Sequence, residues 1–401
     1  MVYIKIDYII DYYFNIKFLV SFIKNQMEKR KINLFGPSIT KLEIDNVLKS
    51  LKLDWFQNYN KYQHEFEDHL KNFTKRKYAL TTPCGTHAIH LALLSAGIKK
   101  GDEVIAPNAT WIGSVAPIIQ VGAKVVFADI DKENWCLNLE SIKRAYSQKT
   151  KAIIMVNLYG NMPDYDPIIH FAKQKKLILI EDAAESFGSF YKKKPSGNFG
   201  DISILSFHST KTITTGEGGA LLCNDKKIYD KAVMLSDHGR SKKCNRLKSE
   251  ISAFKYKMSS IQAAMGIAQL KRLKIILRKK EKIFKRYEKN LKKCFEIKLI
   301  KTSKHSISNR WLTTIYWSNK KKINVNLLIN FFNKKRIETR PFFPPLNQMN
   351  AFSNNKSDYR STNTRFSEDI ATRSINLPSG LNISNKNIDE ISKHIIDFFN
   401  Y

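Results

Sequence analysis

The segment DISILSFHSTKTITTGEGGALLCN, residues 201–224, decides how the rest of the chain is read. It begins as a run that is apolar at successive positions, the pattern of a strand buried on both faces. At Ser206 it gives way to hydroxyl residues around one lysine, Lys211, then to a glycine-rich turn and a second apolar run. Lysine is abundant in this chain, so Lys211 can be one more solvated charge. The other reading is that a buried strand ends by delivering an amine. Partial drying there favours the uncharged form, which can condense with an aldehyde.

Outward from this segment the same texture repeats. DEVIAP (102–107), AKVVFADI (123–130), KAIIMVNL (151–158) and LILIEDAA (177–184) are short β-rich runs, with HAIHLALLSAG and DYDPIIHFAKQKK as helical stretches between them. Buried strands alternating with helices predict an α/β fold with a mainly parallel sheet. The stretch 269–301, QLKRLKIILRKKEKIFKRYEKNLKKCFEIKLIK, predicts one long amphipathic helix with a lysine-rich outer face. Beyond it, RWLTTIYWS reads as a strand, NVNLLINFFNKKRI as a helix, ETRPFFPPLNQ as a proline-bound loop and NKNIDEISKHIIDFFN as a closing helix. The chain therefore divides into a large domain over 27–275, whose first residues can pack with the small one, and a small α+β domain over 276–401.

Composition narrows the class of partner. The 401 residues are 43% hydrophobic and 11% aromatic, enough for a sizeable core. A net charge of +32 points towards nucleic acid or anionic surfaces when taken alone. The lysines are scattered, however, and no basic heptad, zinc spacing or RNA-binding signature accompanies them. A solvated basic surface without a nucleic-acid partner is expected. The five cysteines, Cys84, Cys136, Cys223, Cys244 and Cys294, form no C-x-x-C pair, which suggests free thiols, a reducing cytoplasmic setting and no metal. Residues 1–26 are apolar and aromatic but carry Lys5, Asp7, Asp11 and Lys17. They are expected to be an upstream mis-start or a loose extension, with no stable membrane anchor.

Ligands of open α/β sheets lie beyond the carboxyl ends of the strands. Four features collect there. Gly85 and Thr86 in TTPCGTHAIHLALL open a helix, which makes either a simple cap or an anion site. LILIEDAAES ends in Glu181, Asp182 and Glu185, acids that serve as a helix cap, a metal ligand or a partner for a cation. Trp111 in NATWIGSV belongs to the core or stacks on a flat ring. Lys211 is the fourth, with Ser206, Ser209, Thr210 and Thr212 as hydroxyls suited to phosphate. One ligand accounts for all four: a planar cofactor bearing a phosphate, a ring nitrogen that needs a carboxylate and an aldehyde that needs a lysine. Pyridoxal phosphate has these parts.

The ordered motifs GT-x-A, TW, EDAAES-x-GS, FGD-x-S-x-x-SFH-x-x-K-x-ITTGEGG and YKM-x-x-IQAAMG-x-AQL resemble those of the DegT/DnrJ/EryC1/StrS sugar aminotransferases, from Ile32 to the C-terminus. The resemblance implies pyridoxal phosphate, fold type I with a seven-stranded sheet, and a homodimer with shared active sites. It implies Lys211 as the lysine that joins the cofactor and moves the proton, and Asp182 at the pyridine nitrogen. Gly85, Thr86 and Ser206 would hold the phosphate, Trp111 would stack, and Glu185 would lie near the phenolic oxygen. Lys255 stands in AFKYKM (253–258) where many members have an asparagine that reaches the partner subunit's phosphate. Arg340 in ETRP is a candidate for the substrate's phosphates. Some relatives replace the lysine with histidine and dehydrate; Lys211 is present, so amino transfer from L-glutamate to a nucleotide-linked 4-keto-6-deoxy sugar is expected. The alternatives are a 3-keto sugar acceptor, or a cofactor- or sugar-sensing regulator on the same fold.

Overall fold

In a computed structural model the described residues are 31–400 apart from 54–57, 59, 241–247, 319–322 and 354–356. The expected extension 1–26 and Cys244 lie outside them. Strands β1 (Tyr78–Thr82), β2 (Glu103–Pro107), β3 (Lys124–Ala128), β4 (Thr150–Val156) and β5 (Ile178–Asp182) alternate with helices Gly85–Ser95, Ala116–Gln120, Leu139–Ala145 and Tyr165–Lys175. Short strands β6 (Phe190–Tyr191) and β7 (Lys194–Pro195) precede β8 (Ile202–Ser206) and β9 (Gly219–Cys223), the two apolar runs that flank Lys211. The carboxy-terminal third adds β10 (Ile297–Leu299), β11 (Ser306–Ile307), β12 (Thr313–Trp317), β13 (Arg340–Pro341), β14 (Tyr359–Ser361) and β15 (Ser374–Leu377).

The main sheet runs β1-β9-β8-β5-β4-β2-β3-β14. Within it only β9 is antiparallel to its neighbours. Alternate side chains feed two cores: Val104, Val125 and Ile154 pack on one face, Ile105, Val126 and Ile153 on the other. Both faces are dry, which is why these strands read as continuous apolar runs. The sheet has eight strands where seven were expected. The eighth, β14, is only Tyr-Arg-Ser, too short and polar to show a strand period. It is held by pairing with β3 and by Arg360, which donates to Glu103 at 2.8 and 3.1 Å.

A second sheet, β10-β12-β15-β13, is antiparallel throughout. Helices Leu273–Leu291, Val325–Lys334 and Asn385–Asn400 cover it around Tyr287, Trp317, Phe332 and Ile391. The first described residues pack against the same core: Ile32 forms an isolated bridge with Ile337. The long helix expected over 269–301 is instead two helices, Ser260–Lys271 and Leu273–Leu291, followed by β10. The break falls at Arg272, whose guanidinium donates to Glu43 at 2.6 Å and to the Ser38 carbonyl at 2.8 Å. Those partners lie more than 200 residues upstream, so the local helical period carried no sign of the break.

Candidate active site

Seven parallel strands run the same way in the main sheet, and the site is assembled at the edge where their carboxyl ends lie. After β1 the chain enters the helix Gly85–Ser95 through Cys84, which is extended (φ −160°, ψ 166°) and makes no side-chain cap. The first helical N–H groups are therefore available to an anion. Glycines keep this cradle open. A Cβ on Gly219 would fall 2.5 Å from the Cys84 carbonyl carbon, and one on Gly113 would fall 2.8 Å from Thr86 Oγ1. Ser206, at the end of β8, lies against Gly85, where an added Cβ would be 3.1 Å from the serine Cβ.

Asp182 is the last residue of β5 and is buried. Its carboxylate accepts the Ser114 hydroxyl at 2.7 Å and the Ala184 N–H at 3.0 Å. Burial raises its pKa above the usual carboxylate range, offset by Ser114, Ala184 and then Lys211. Glu185, one turn further on, accepts the Tyr159 N–H at 2.8 Å. Burial raises its pKa as well, with the Lys211 charge the strongest opposing influence. Lys211 occupies the turn between β8 and β9. Its Nζ lies 3.6 Å from Glu185 Oε1 and 4.3 Å from the centre of the Trp311 ring.

Eight of the nine candidate residues border one cavity of about 400 Å³; the ninth, Lys255, does not. Trp111 is 54% exposed at the mouth, so the core reading of that residue does not hold. Phe343 and Arg340 stand beside it, the guanidinium 5.7 Å from the Trp111 ring centre. Lys255 Nζ donates to Asp237 at 2.9 Å, and Asp237 also binds Arg240 and Lys257. Several lining residues escaped the sequence reading. Ser114 followed Trp111 within a quoted motif, and its hydroxyl was the available signal. Trp311 and Phe343 stood in stretches read only as a strand and a loop, and nothing local marked them.

The residues fit pyridoxal phosphate. A helix start with unclaimed N–H groups and a serine suit the phosphate. A buried carboxylate suits a protonated ring nitrogen, and a lysine borders the space between them. Fold and site together define a pyridoxal-phosphate-dependent sugar aminotransferase. The chain belongs to the DegT/DnrJ/EryC1/StrS aminotransferase family, which matches residues 37–396. It is 37% identical to a GDP-perosamine synthase of Escherichia coli O157:H7, over 92% of this chain and 98% of the relative. A GDP-perosamine synthase of Vibrio cholerae is 34% identical, over 92% and 99%. Spr1654 of Streptococcus pneumoniae, solved in its PLP-form, superposes with a TM-score of 0.84 at 25% identity, covering 92% of this chain and 99% of that one.

Proposed function

We propose that this protein transfers an amino group from L-glutamate to C4 of a GDP-linked 4-keto-6-deoxy sugar, giving an amino sugar for a surface glycan such as O-antigen. The observation that carries the reading is the grouping of Lys211, Asp182 and Ser206 around one cavity at the strand ends. The perosamine synthases similar to this chain support the acceptor. Bound there, pyridoxal phosphate supplies an aldehyde that carries nitrogen and a ring that takes up the electron pair left by a broken C–H bond.

In this reading the protein's residues divide the work. Lys211 Nζ takes the proton from the donor carbon and returns one to the sugar carbon. Asp182, aimed by Ser114, holds positive charge on the ring nitrogen. The Gly85–Thr86 N–H groups and Ser206 hold the phosphate, and Trp111 covers the ring. Glu185 keeps Lys211 near a compensating charge. Arg340, beside Trp111 at the mouth, receives the substrate's phosphates. Lys255 turns away from its own cavity, which suits a role at a partner subunit's phosphate in a homodimer. The large domain over 27–275, to whose sheet β14 is added, then carries the cofactor, and the rest of 276–401 helps close on the sugar. A cytoplasmic setting agrees with Cys84, Cys136, Cys223 and Cys294 all being free. No described helix is long and apolar enough to cross a membrane.

The deciding experiment is an absorption spectrum of the purified protein with pyridoxal phosphate, before and after L-glutamate. The expected result is a visible band that glutamate bleaches and Lys211→Ala lacks, followed by amino transfer to GDP-4-keto-6-deoxymannose. A band that glutamate leaves unchanged would favour the regulatory alternative. An amine found at C3 by NMR of the product would move the acceptor assignment.

A further inference from the structure

Asn309 follows β11 and is buried. Its Nδ2 donates to the carbonyls of Glu185 and Phe187, both at 3.0 Å, and lies 3.1 Å from Thr212 Oγ1. Its Oδ1 accepts the Trp311 N–H at 3.0 Å. Its own N–H donates to Ser189 Oγ at 2.9 Å, and that hydroxyl donates to the Gly160 carbonyl at 2.7 Å. One residue from the carboxy-terminal third thus joins four pieces of the site. These are the loop bearing Glu185, the loop bearing Lys211, the ring that faces Lys211 Nζ, and the turn that gives the Tyr159 N–H to Glu185.

The backbone around it is unusual in the same places. Tyr159 and Arg310 have left-handed conformations, with φ of 53° and 54°. Bulky residues persist there only where their surroundings over-determine them, and such residues cluster at working sites. Gly160 (φ +89°) has no room for a side chain, since a Cβ would fall 2.0 Å from Asn309 Oδ1. Arg310 is anchored outward by Thr302 at 2.9 Å, Glu281 at 3.3 Å and the Phe284 ring at 3.8 Å. The contacts leave Asn309 little freedom to shift. The amide makes polar contacts through both its ends, and burying it unpaired would be costly.

We propose that Asn309 is a positioning residue for the transfer reaction: it fixes the loops of Glu185 and Lys211 at the separation their charge pairing requires, without reaching into the cavity itself. The inference rests on the role assigned to Lys211 above. Besides each other, Glu185 and Lys211 meet Asp182 at the end of β5, Arg340 across the cavity and Tyr159 on the far side. His208 and Glu217 border the same space, and Lys280 binds the Trp311 carbonyl behind the ring. None of these joins the two loops. The other tie on the Lys211 loop, the Trp311 ring N–H to the Thr210 carbonyl at 2.7 Å, belongs to the residue whose backbone N–H Asn309 accepts, so loosening Asn309 slackens both ties together.

The test uses the full-length holoenzyme with Asn309→Ala and, as a milder probe, Thr212→Val, which removes only the hydroxyl. Moving a carboxylate away from a protonated nitrogen disfavours the protonated form, so the pH midpoint of the visible band should fall, by about one unit in Asn309→Ala. In the same variant kcat should fall on the order of 100-fold, the scale of a misplaced reacting group, with KM for the sugar nucleotide nearly constant. Thr212→Val should move both readouts in the same directions by less. It decides the matter alone if Asn309→Ala does not fold. Folded variants with lower melting temperatures but the parental midpoint and kcat would overturn the proposal. A parent enzyme without a visible band would sink the Lys211 reading and this inference with it, whereas a normal parent with unmoved variants sinks the inference alone.

Discussion

Lys211 Nζ and Glu185 Oε1 stand 3.6 Å apart at a site where the lysine side chain is 15% exposed and the glutamate 7%. Each charge is enclosed, and each is tolerable because the other is near. Lys211→Ala leaves Glu185 with its burial penalty and without its strongest counter-charge. A carboxyl raised above its unfolded value contributes stability that is complete at acid pH and lost as pH rises through the folded value. Lys211→Ala should therefore be destabilised more at pH 8 than at pH 5.5, by roughly 1 kcal/mol. Denaturant unfolding of the cofactor-free proteins at both values checks this; equal losses would mean that the pair is uncoupled.

Asp182 presents the same physics from the side of function. Its pKa is raised by burial, with Ser114, Ala184 and Lys211 only partly offsetting that. The cofactor-free protein should lose stability as pH climbs past the ordinary carboxylate range. Asp182→Asn should relieve the penalty, gaining about 1 kcal/mol at pH 7.5 while removing turnover, a trade common at working sites. Thermal melts of the cofactor-free forms beside a transfer assay would show it. A less stable variant at pH 7.5 would contradict it.

Gly219 tests the phosphate cradle. Its added Cβ would meet backbone, the Cys84 carbonyl at 2.5 Å and the Gly85 nitrogen at 2.6 Å, which cannot rotate out of the way. Gly219→Ala should cost roughly 1–3 kcal/mol of stability, the usual range for overpacking. It should also weaken pyridoxal phosphate binding about tenfold or more, because the displaced atoms carry the N–H groups aimed at the phosphate. Equilibrium titration of the cofactor reads the second effect directly.

Lys280 is enclosed in the helix Leu273–Leu291 and donates to the carbonyls of Trp311 at 3.0 Å and Ser379 at 2.7 Å. Burial lowers its pKa from 10.5 to about 7. Between those values the unfolded chain binds the proton more strongly, so stability falls as pH drops from about 10 towards 7. Relative to Lys280→Met, the parent should gain roughly 2 kcal/mol between pH 7.5 and 9.5. Parallel pH curves would refute a depressed lysine.

The turn joining β6 to β7 places Lys192 and Lys193 at φ of 46° and 66°, two left-handed residues in a row. Asparagine and glycine favour that conformation; lysine does not. Lys192 pairs with Asp166, so Lys193 is the position to change. Lys193→Gly should raise the unfolding free energy by roughly 0.5–1 kcal/mol, relief of strain exceeding glycine's entropic cost. A shift in the urea midpoint measures it.

What the sequence determined alone is whatever depends on near neighbours along the chain. The runs around β2, β3, β4, β5, β8 and β9 were legible because strands buried on both faces must be apolar throughout. Lys211, Asp182 and Ser206 were legible because parallel strands present their carboxyl ends at one edge, so residues just past those ends meet. The tertiary structure decided what depends on distant partners. Asn309 looks like any polar loop residue until the fold sets it against Glu185 and Thr212, and Ser114 becomes notable only beside Asp182. The helix break at Arg272 is decided by Glu43 and Ser38, the eighth strand by its pairing with β3, and the direction of Lys255 by Asp237. Local periodicity records what a segment needs to bury, whereas hydrogen bonds between segments depend on where folding brings them.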